Sequence, residues 1–176
     1  GAAPEEIREA LSAFTPSFED SPGRLNFYRE LPFTVLMDSA HSGEGFEYLM
    51  DFVDTLQAEE RKAILFAVSG SMKDEDIAER AGMVAGHFDL YLCRNYPKLH
   101  GREPDEVPGL MRQALETLGV PPSAIVELPE GNAVDTALRA ARPGDLLVVC
   151  CSVLGLRDEW ATITSFGRGG ADQSED

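Results

Sequence analysis

Positive charge is scarce in this chain. Fifteen Lys and Arg stand against 31 Asp and Glu, a formal charge of −16 over 176 residues. Duplex nucleic acid is disfavoured as a partner, because phosphate binding draws on clustered Lys and Arg and no such cluster occurs. Cysteine is scarcer still. Cys93, Cys150 and Cys151 have no C-x-x-C or His-rich spacing, so they read as small buried hydrophobes, not as metal ligands or a disulfide framework. A reducing cytoplasm is the expected compartment, and the adjacent pair should point to opposite faces of a strand. No apolar run approaches the ~18 residues of a membrane span, and the N-terminus carries no signal-peptide pattern. Both common phosphate-cradling signatures are missing too: there is neither G-x-x-x-x-G-K-[ST] nor G-x-G-x-x-G. Alone, the chain cannot cradle a triphosphate.

What remains is a regular alternation. The length suits one domain with a substantial core. After an amphipathic helix in "APEEIREALSAF" and a turn in "TPSFEDSPGR", strand-like "FTVLMD" is followed by helix-like "EGFEYLMDFVDTL". The pattern repeats with "AILFAVSG" and "DEDIAERAGMVAG", then with the short strand "DLYLC", the polar loop "RNYPKLHGREP" and the helix "DEVPGLMRQALETLG". Pro108 fits that helix only in its first turn. "SAIVEL" and "LLVVCC" complete the strands, separated by the helix "NAVDTALRAA" and the turn "RPGD". Such spacing predicts an α/β fold, a mostly parallel sheet with helices on both faces. The unbroken apolar character of "LLVVCC" suits a strand buried on both sides. Trp160, Ile163 and Phe166 suggest a last short helix, and the polar, glycine-rich ending "FGRGGADQSED" predicts disorder.

In open parallel sheets ligands gather outside the carboxyl ends of strands, where loops meet helix N-termini. Asp38 stands at such an end, with His41 and Ser42 in the loop that follows. Ser42 suits a helix cap with Glu44 near the positive end of the dipole. An aspartate there can accept from ribose hydroxyls and a histidine can meet a phosphate or base. The same residues equally suit a capped turn with a surface histidine. Ser69, Gly70, Ser71 and Lys73 repeat the arrangement after the next strand, where Lys73 is either a solvated charge or a contact for phosphate or carboxylate. His87 reads as a helix C-terminal cap. His100 and Arg102 lie in the long polar loop, functional or merely solvated.

Taken in order, these segments carry a resemblance. Gly23-Arg24 precedes Asp38-Ser39-Ala40-His41-Ser42-Gly43 by about fourteen residues, as a Gly-Arg pair precedes Asp-x-Ala-His-Asn/Thr-Pro in the C-terminal domain of Mur ligases. "VSGSMKDEDIAERAG", "FDLYLCRNYPKLHGREPDEVPGLMRQAL" and "ALRAARPGDLLVV" are similar to successive stretches of the Mur-ligase-like part of cyanophycin synthetase. The resemblance implies a Rossmann-like domain over residues 23–156 that closes over ATP, with Mg2+ as the nucleotide's companion, and helps present an amino-acid substrate. Residues 1–22 would be the end of a central-domain helix and hinge, and 157–176 a C-terminal extension.

In that family a carboxylate becomes an acyl phosphate that the amine attacks, and the P-loop belongs to a central domain. By position, Arg24 would lie near the phosphates and Asp38 near the ribose, with His41 and Ser42 lining the same cleft. Ser69, Lys73 and Arg102 would be substrate-side residues. No residue here is assigned a catalytic or metal-binding role. Ser42 and Gly43 stand where the motif has Asn or Thr and Pro. The expected partners are ATP, an amino-acid or peptide substrate and the central ligase domain in the same polypeptide, with a homo-oligomer also compatible. A reading from another class stays open: a free-standing Rossmann-like module that binds a small ligand without catalysis.

Overall fold

The computed structural model describes residues 2–13, 17–128 and 131–167. Six strands form one sheet in the order β1-β2-β6-β3-β4-β5. β2 (Thr34–Asp38), β3 (Lys62–Phe66), β4 (Leu90–Cys93), β5 (Ile125–Glu127) and β6 (Leu146–Cys150) run parallel. β1 (Asn26–Tyr28) pairs antiparallel with β2 at one edge, Phe27 opposite Leu36. Nothing in the sequence pattern announces β1, because three residues are too few to show an alternation.

Helices cover both faces, and strand alternation assigns each side chain to one of them. Ile64 and Phe66 pack with α2 (Gly43–Thr55), α3 (Asp74–Gly82) and α4 (Glu106–Thr117), through Leu49, Ile77 and Met111. Leu65 and Val149 turn the other way, against α5 (Ala133–Ala140) and α6 (Leu156–Phe166), through Leu138 and Ile163. Every residue of β6 is buried, as a strand with a layer on each side requires. The vicinal cysteines divide between the faces as expected, Cys150 with the first cluster and Cys151 with the second. Burial pushes the Cys93 and Cys151 thiols up to about 12, which leaves them unreactive at neutral pH.

Several boundaries differ from the sequence reading for local reasons. The strand in "AILFAVSG" ends at Phe66, and the chain then bends into a loop where a Cβ on Gly70 would stand 2.4 Å from the Leu99 carbonyl oxygen. Pro108 falls in the first turn of α4, where its missing N–H costs nothing. A short 3₁₀ turn, Pro122–Ala124, replaces the start of "SAIVEL". His87 does not cap a helix; its Nδ1 lies 2.9 Å from Asp54 Oδ1 at the opposite end of the sheet from the loops of interest. α1 (Pro4–Ala13) forms in "APEEIREALSAF", and the following segment returns to the domain, Phe18 stacking on Trp160 at 4.7 Å. α6 is therefore packed into the fold. Disorder in residues 168–176 falls outside the described residues. No helix among the described residues is long and apolar enough to cross a membrane.

At the amino ends of the strands one buried carboxylate holds the turn "RPGD" in place. Asp145 Oδ2 accepts from Arg61 Nε at 2.9 Å and from the Arg142 N–H at 2.8 Å. Its side chain is fully buried, so removing it strands a half-buried guanidinium. Asp145→Ala should lower unfolding free energy by ~3 kcal/mol in urea titrations, without altering the carboxyl-end loops.

Candidate functional site

The chain order creates a crevice. α2 and α3 follow β2 and β3 onto one face, whereas the connection after β6, which lies between those strands, leads to α6 on the other. Loops leaving neighbouring strands toward opposite faces open a gap at the carboxyl ends, where parallel sheets place their ligands. Two adjoining cavities occupy it. The larger, about 570 Å³, is lined by Arg24, Leu25, Asp38, Ser42 and Tyr48 among others. The smaller, about 180 Å³, lies over the ends of β6, β3 and β4 between Phe46, Val68, Met72, Tyr96 and Ser152. Ala40 and His41 line both, forming the partition.

The larger cavity depends on a sharp turn before β1. Gly23 has φ +68° and Leu25 φ +48°, the left-handed region that a leucine rarely enters. Hydrogen bonds secure it. Asp38 Oδ2 accepts from the Leu25 N–H at 2.9 Å, and Asn26 Oδ1 accepts from the Gly23 N–H at 2.6 Å. Arg24 Nη1 then donates to Ser39 Oγ at 2.7 Å, and that hydroxyl donates to the Gly23 carbonyl at 3.0 Å. Arg24 and Asp38 thus meet at one cavity wall although thirteen residues separate Leu25 from Asp38. A Cβ at Gly23 would meet the movable Leu156 Cδ1 at 2.3 Å and Ser39 Cβ at 3.2 Å, so it is chiefly the positive φ that calls for glycine.

His41 and Ser42 stand where the sequence placed them. Ser42 Oγ accepts from the Gly45 N–H at 3.0 Å and caps α2. His41 Nδ1 lies 3.0 Å from the Ser39 carbonyl oxygen, which can only accept, so the Nδ1 carries the proton and Nε2 is left as the acceptor of the neutral ring.

The residues expected on the substrate side scatter. Ser69 lines the smaller chamber. Lys73 is exposed, just before α3, and lines neither cavity. Arg102 donates to the Gly70 and Met72 carbonyls at 3.1 and 2.7 Å and to Asp74 Oδ1 and Glu106 Oε1, each at 2.7 Å. Its guanidinium ties the loop after β3 to the loop after β4.

Arg94, Tyr96, Ser152 and Arg80 are site residues that sequence reasoning passed over. Arg94 follows directly on β4, and this position at a strand's carboxyl end was the available signal. Its side chain is nine-tenths buried and forms a bidentate pair with Glu159 of α6, Nη1 to Oε1 at 3.0 Å and Nη2 to Oε2 at 3.1 Å. Nη2 also donates to the Cys150 carbonyl at 3.0 Å, leaving Nε with no partner among the described residues.

Asp38 is only 8% exposed, and burial raises its carboxyl above the ordinary 3.8; the Leu25 and Ala40 N–H groups, and then Arg24 and His41, oppose this with less effect. The folded chain therefore keeps this proton to higher pH than the unfolded chain. The stabilisation so gained is complete below the unfolded value and lost as pH rises from 3.8 through the raised folded value. Asp38→Asn should flatten the part of a urea-midpoint profile that falls as pH rises above 3.8, and the Asp38 carboxyl carbon in NMR should titrate above a model aspartate.

Comparison with known proteins agrees with this fold. Cyanophycin synthetase of Synechocystis sp. (strain ATCC 27184 / PCC 6803 / Kazusa) is 29% identical over 147 residues, and that of Geminocystis herdmanii (strain PCC 6308) 26% over 145; each match covers 82% of this chain and 16% of the relative. The chain thus spans about a sixth of those proteins' length. Among solved structures, E. coli FolC in complex with ADP superposes with a TM-score of 0.67 at 21% identity, covering 96% of this chain and 36% of that one. A UDP-N-acetylmuramoyl-L-alanyl-D-glutamate–2,6-diaminopimelate ligase superposes at 0.56 and 14% identity, covering 81% of this chain and 30% of its own. A family model described as Mur ligase, glutamate ligase domain matches residues 23–153. Because that segment runs from the Gly23 turn past the end of β6 and contains every strand of the sheet, the chain belongs to the Mur ligase, glutamate ligase domain family.

Proposed function

We propose that this chain is the C-terminal lobe of an ATP-dependent acid–amino-acid ligase, closing over nucleotide held mainly by a companion P-loop lobe and positioning the amine substrate. The observation that carries this reading is the convergence of Arg24, Asp38, His41 and Ser42 on one cavity that shares its wall with a second chamber. Two substrates that must react require adjoining compartments, and the partition at Ala40 and His41 is where they would meet.

The residues fit a nucleotide. Among the described residues Arg24 carries one side-chain hydrogen bond, to the neutral Ser39 hydroxyl, and keeps donors for phosphate oxygens. Tyr48, 73% exposed on the cavity wall, offers a flat apolar surface for a base. The Asp38 carboxylate is engaged by the Leu25 and Ala40 N–H groups, and a ribose hydroxyl would donate to a lone pair they leave. ATP, when bound, supplies the phosphoryl group that activates the substrate carboxylate. Arg24, delivered by closure, would stabilise charge on that group. No group of three or more His, Cys, Asp or Glu among the described residues could hold a metal ion. In this reading Mg2+ travels with ATP and is held mainly by the companion lobe. Ser69 is retained on the substrate side. Lys73 and Arg102 act there only through the loops they belong to, after β3 and after β4. A cytoplasmic setting belongs to the same reading, supported by three buried free thiols.

The ligase carrying this lobe should lose about 10²–10³ of its kcat when Arg24 becomes alanine, the scale of removing one preorganised donor to developing charge. Melting temperature should stay unchanged, because the Arg24 side chain holds only a neutral hydroxyl at the cavity wall. Full turnover in Arg24→Ala would overturn the assignment.

A further inference from the structure

We propose that a cavity at the amino ends of β2 and β6, remote from the crevice, is a second small-molecule site, and that it takes a free amino acid in zwitterionic form with an apolar side chain. The proposal goes beyond the ligase reading and stands without it.

Thr34 and Leu146 open their strands as register partners, and the last residues of the same strands, Asp38 and Cys150, reach the crevice. Four steps along β2 at ~3.3 Å each separate the two ends by about 13 Å. Between the loop after β1, the segment after α2 and the turn before β6 lies a cavity of about 270 Å³. An apolar cavity of ~150 Å³ admits benzene, so this one has room for a whole free amino acid.

Two unlike charges line the cavity, and neither is engaged. Arg29 is exposed, with its guanidinium carbon 4.1 Å from the centroid of the Phe27 ring, and it has no hydrogen bond or ion pair among the described residues. The ring backs the flat face of the guanidinium and leaves the donors at its edge open to an anion. Glu59 is exposed as well, and its carboxylate has no partner among the described residues. Its place is nonetheless fixed, because its N–H donates to the Gly144 carbonyl at 3.1 Å.

A third group adds an unmet acceptor. Asp145 lines the same cavity, and while its Oδ2 accepts from Arg61 and from the Arg142 N–H, its buried Oδ1 has no partner among the described residues. A buried acceptor without a donor is costly. An ammonium in the cavity would supply one after a small turn of the carboxylate.

These groups select the ligand by its charges. A simple anion would suit Arg29 but meet Glu59, and a simple cation would suit Glu59 but meet Arg29; like charges brought together are penalised. A zwitterion avoids both penalties, with its carboxylate at Arg29 and its ammonium at Glu59 and Asp145. Phe27, Leu31, Leu56 and Leu146 supply the remaining wall, which suits an apolar side chain.

The test is amide NMR on the 176-residue chain, titrated with L-leucine, with L-leucinamide, which lacks the carboxylate, and with 4-methylpentanoate, which lacks the ammonium. Saturable shifts at Thr34, Glu59 and Gly144 are expected for leucine, with each analogue at least about fivefold weaker there. Arg29→Ala should weaken leucine about fivefold and leave leucinamide unchanged, and Glu59→Gln should weaken leucine about threefold and leave 4-methylpentanoate unchanged. Melting temperature should not move in either variant, since both side chains are exposed and unpaired among the described residues. Shifts confined to crevice amides such as Ser69 and Ser152, no response at any amide, or an equal loss of leucine and leucinamide in Arg29→Ala would each overturn the proposal.

Discussion

The hydrogen bond from the Leu25 N–H to the Asp38 carboxylate is the constraint on which the site depends. A leucine at positive φ is held against its own preference because the acceptor is a charged, nearly buried group at the end of a parallel strand. Asn26 and Ser39 also hold the Gly23–Leu25 turn, but Asp38 is the acceptor that ties Leu25 itself to the end of β2. The carboxylate meets a burial cost for this, visible in its raised proton affinity. Its first task is architectural, and any contact with a ligand comes on top of it.

Arginine allocation organises the rest. Arg102 and Arg94 each bind carbonyls and carboxylates from different loops, so the ends of β3, β4 and β6 and the start of α6 are mutually fixed. Arg24 and Arg80 are anchored lightly, to a hydroxyl and to one carbonyl. Guanidinium groups satisfied within the chain build the walls, and those left undersatisfied face the cavities. A chain carrying a formal charge of −16 thereby offers its anion-binding positions at only a few places.

The sheet and its layers were legible because period-two and period-3.6 patterns are long-range averages that survive local irregularity. The Ser42 cap and the junction at Asp38 were legible because capping and switch-point geometry depend on chain order. Other features were not. The three residues of β1 give no pattern, and the close approach at Gly70 is made by the Leu99 carbonyl of a distant loop. Arg94 looked like the first residue of a polar loop, since its partner Glu159 lies on a helix 65 positions away. Arg102 pairs with nearby Glu106 but owes its other partners, Gly70, Met72 and Asp74, to a loop about thirty positions earlier. Which arginines are spent is a fact of tertiary pairing, invisible to spacing.

The placement of β6 bears on how the polypeptide reaches this state. β2 and β3 are never neighbours; each pairs with a strand synthesised after all the others. Until residues 146–150 emerge from the ribosome, β2 has only the short β1 beside it, and the nascent sheet is split into two pieces with raw inner edges. Such a fold is late-closing by topology, with its longest loop closures deferred to the final step. The arrival of β6 joins the two pieces of the sheet and lays the floor of the ligand crevice in the same event, and α6 then closes the second face.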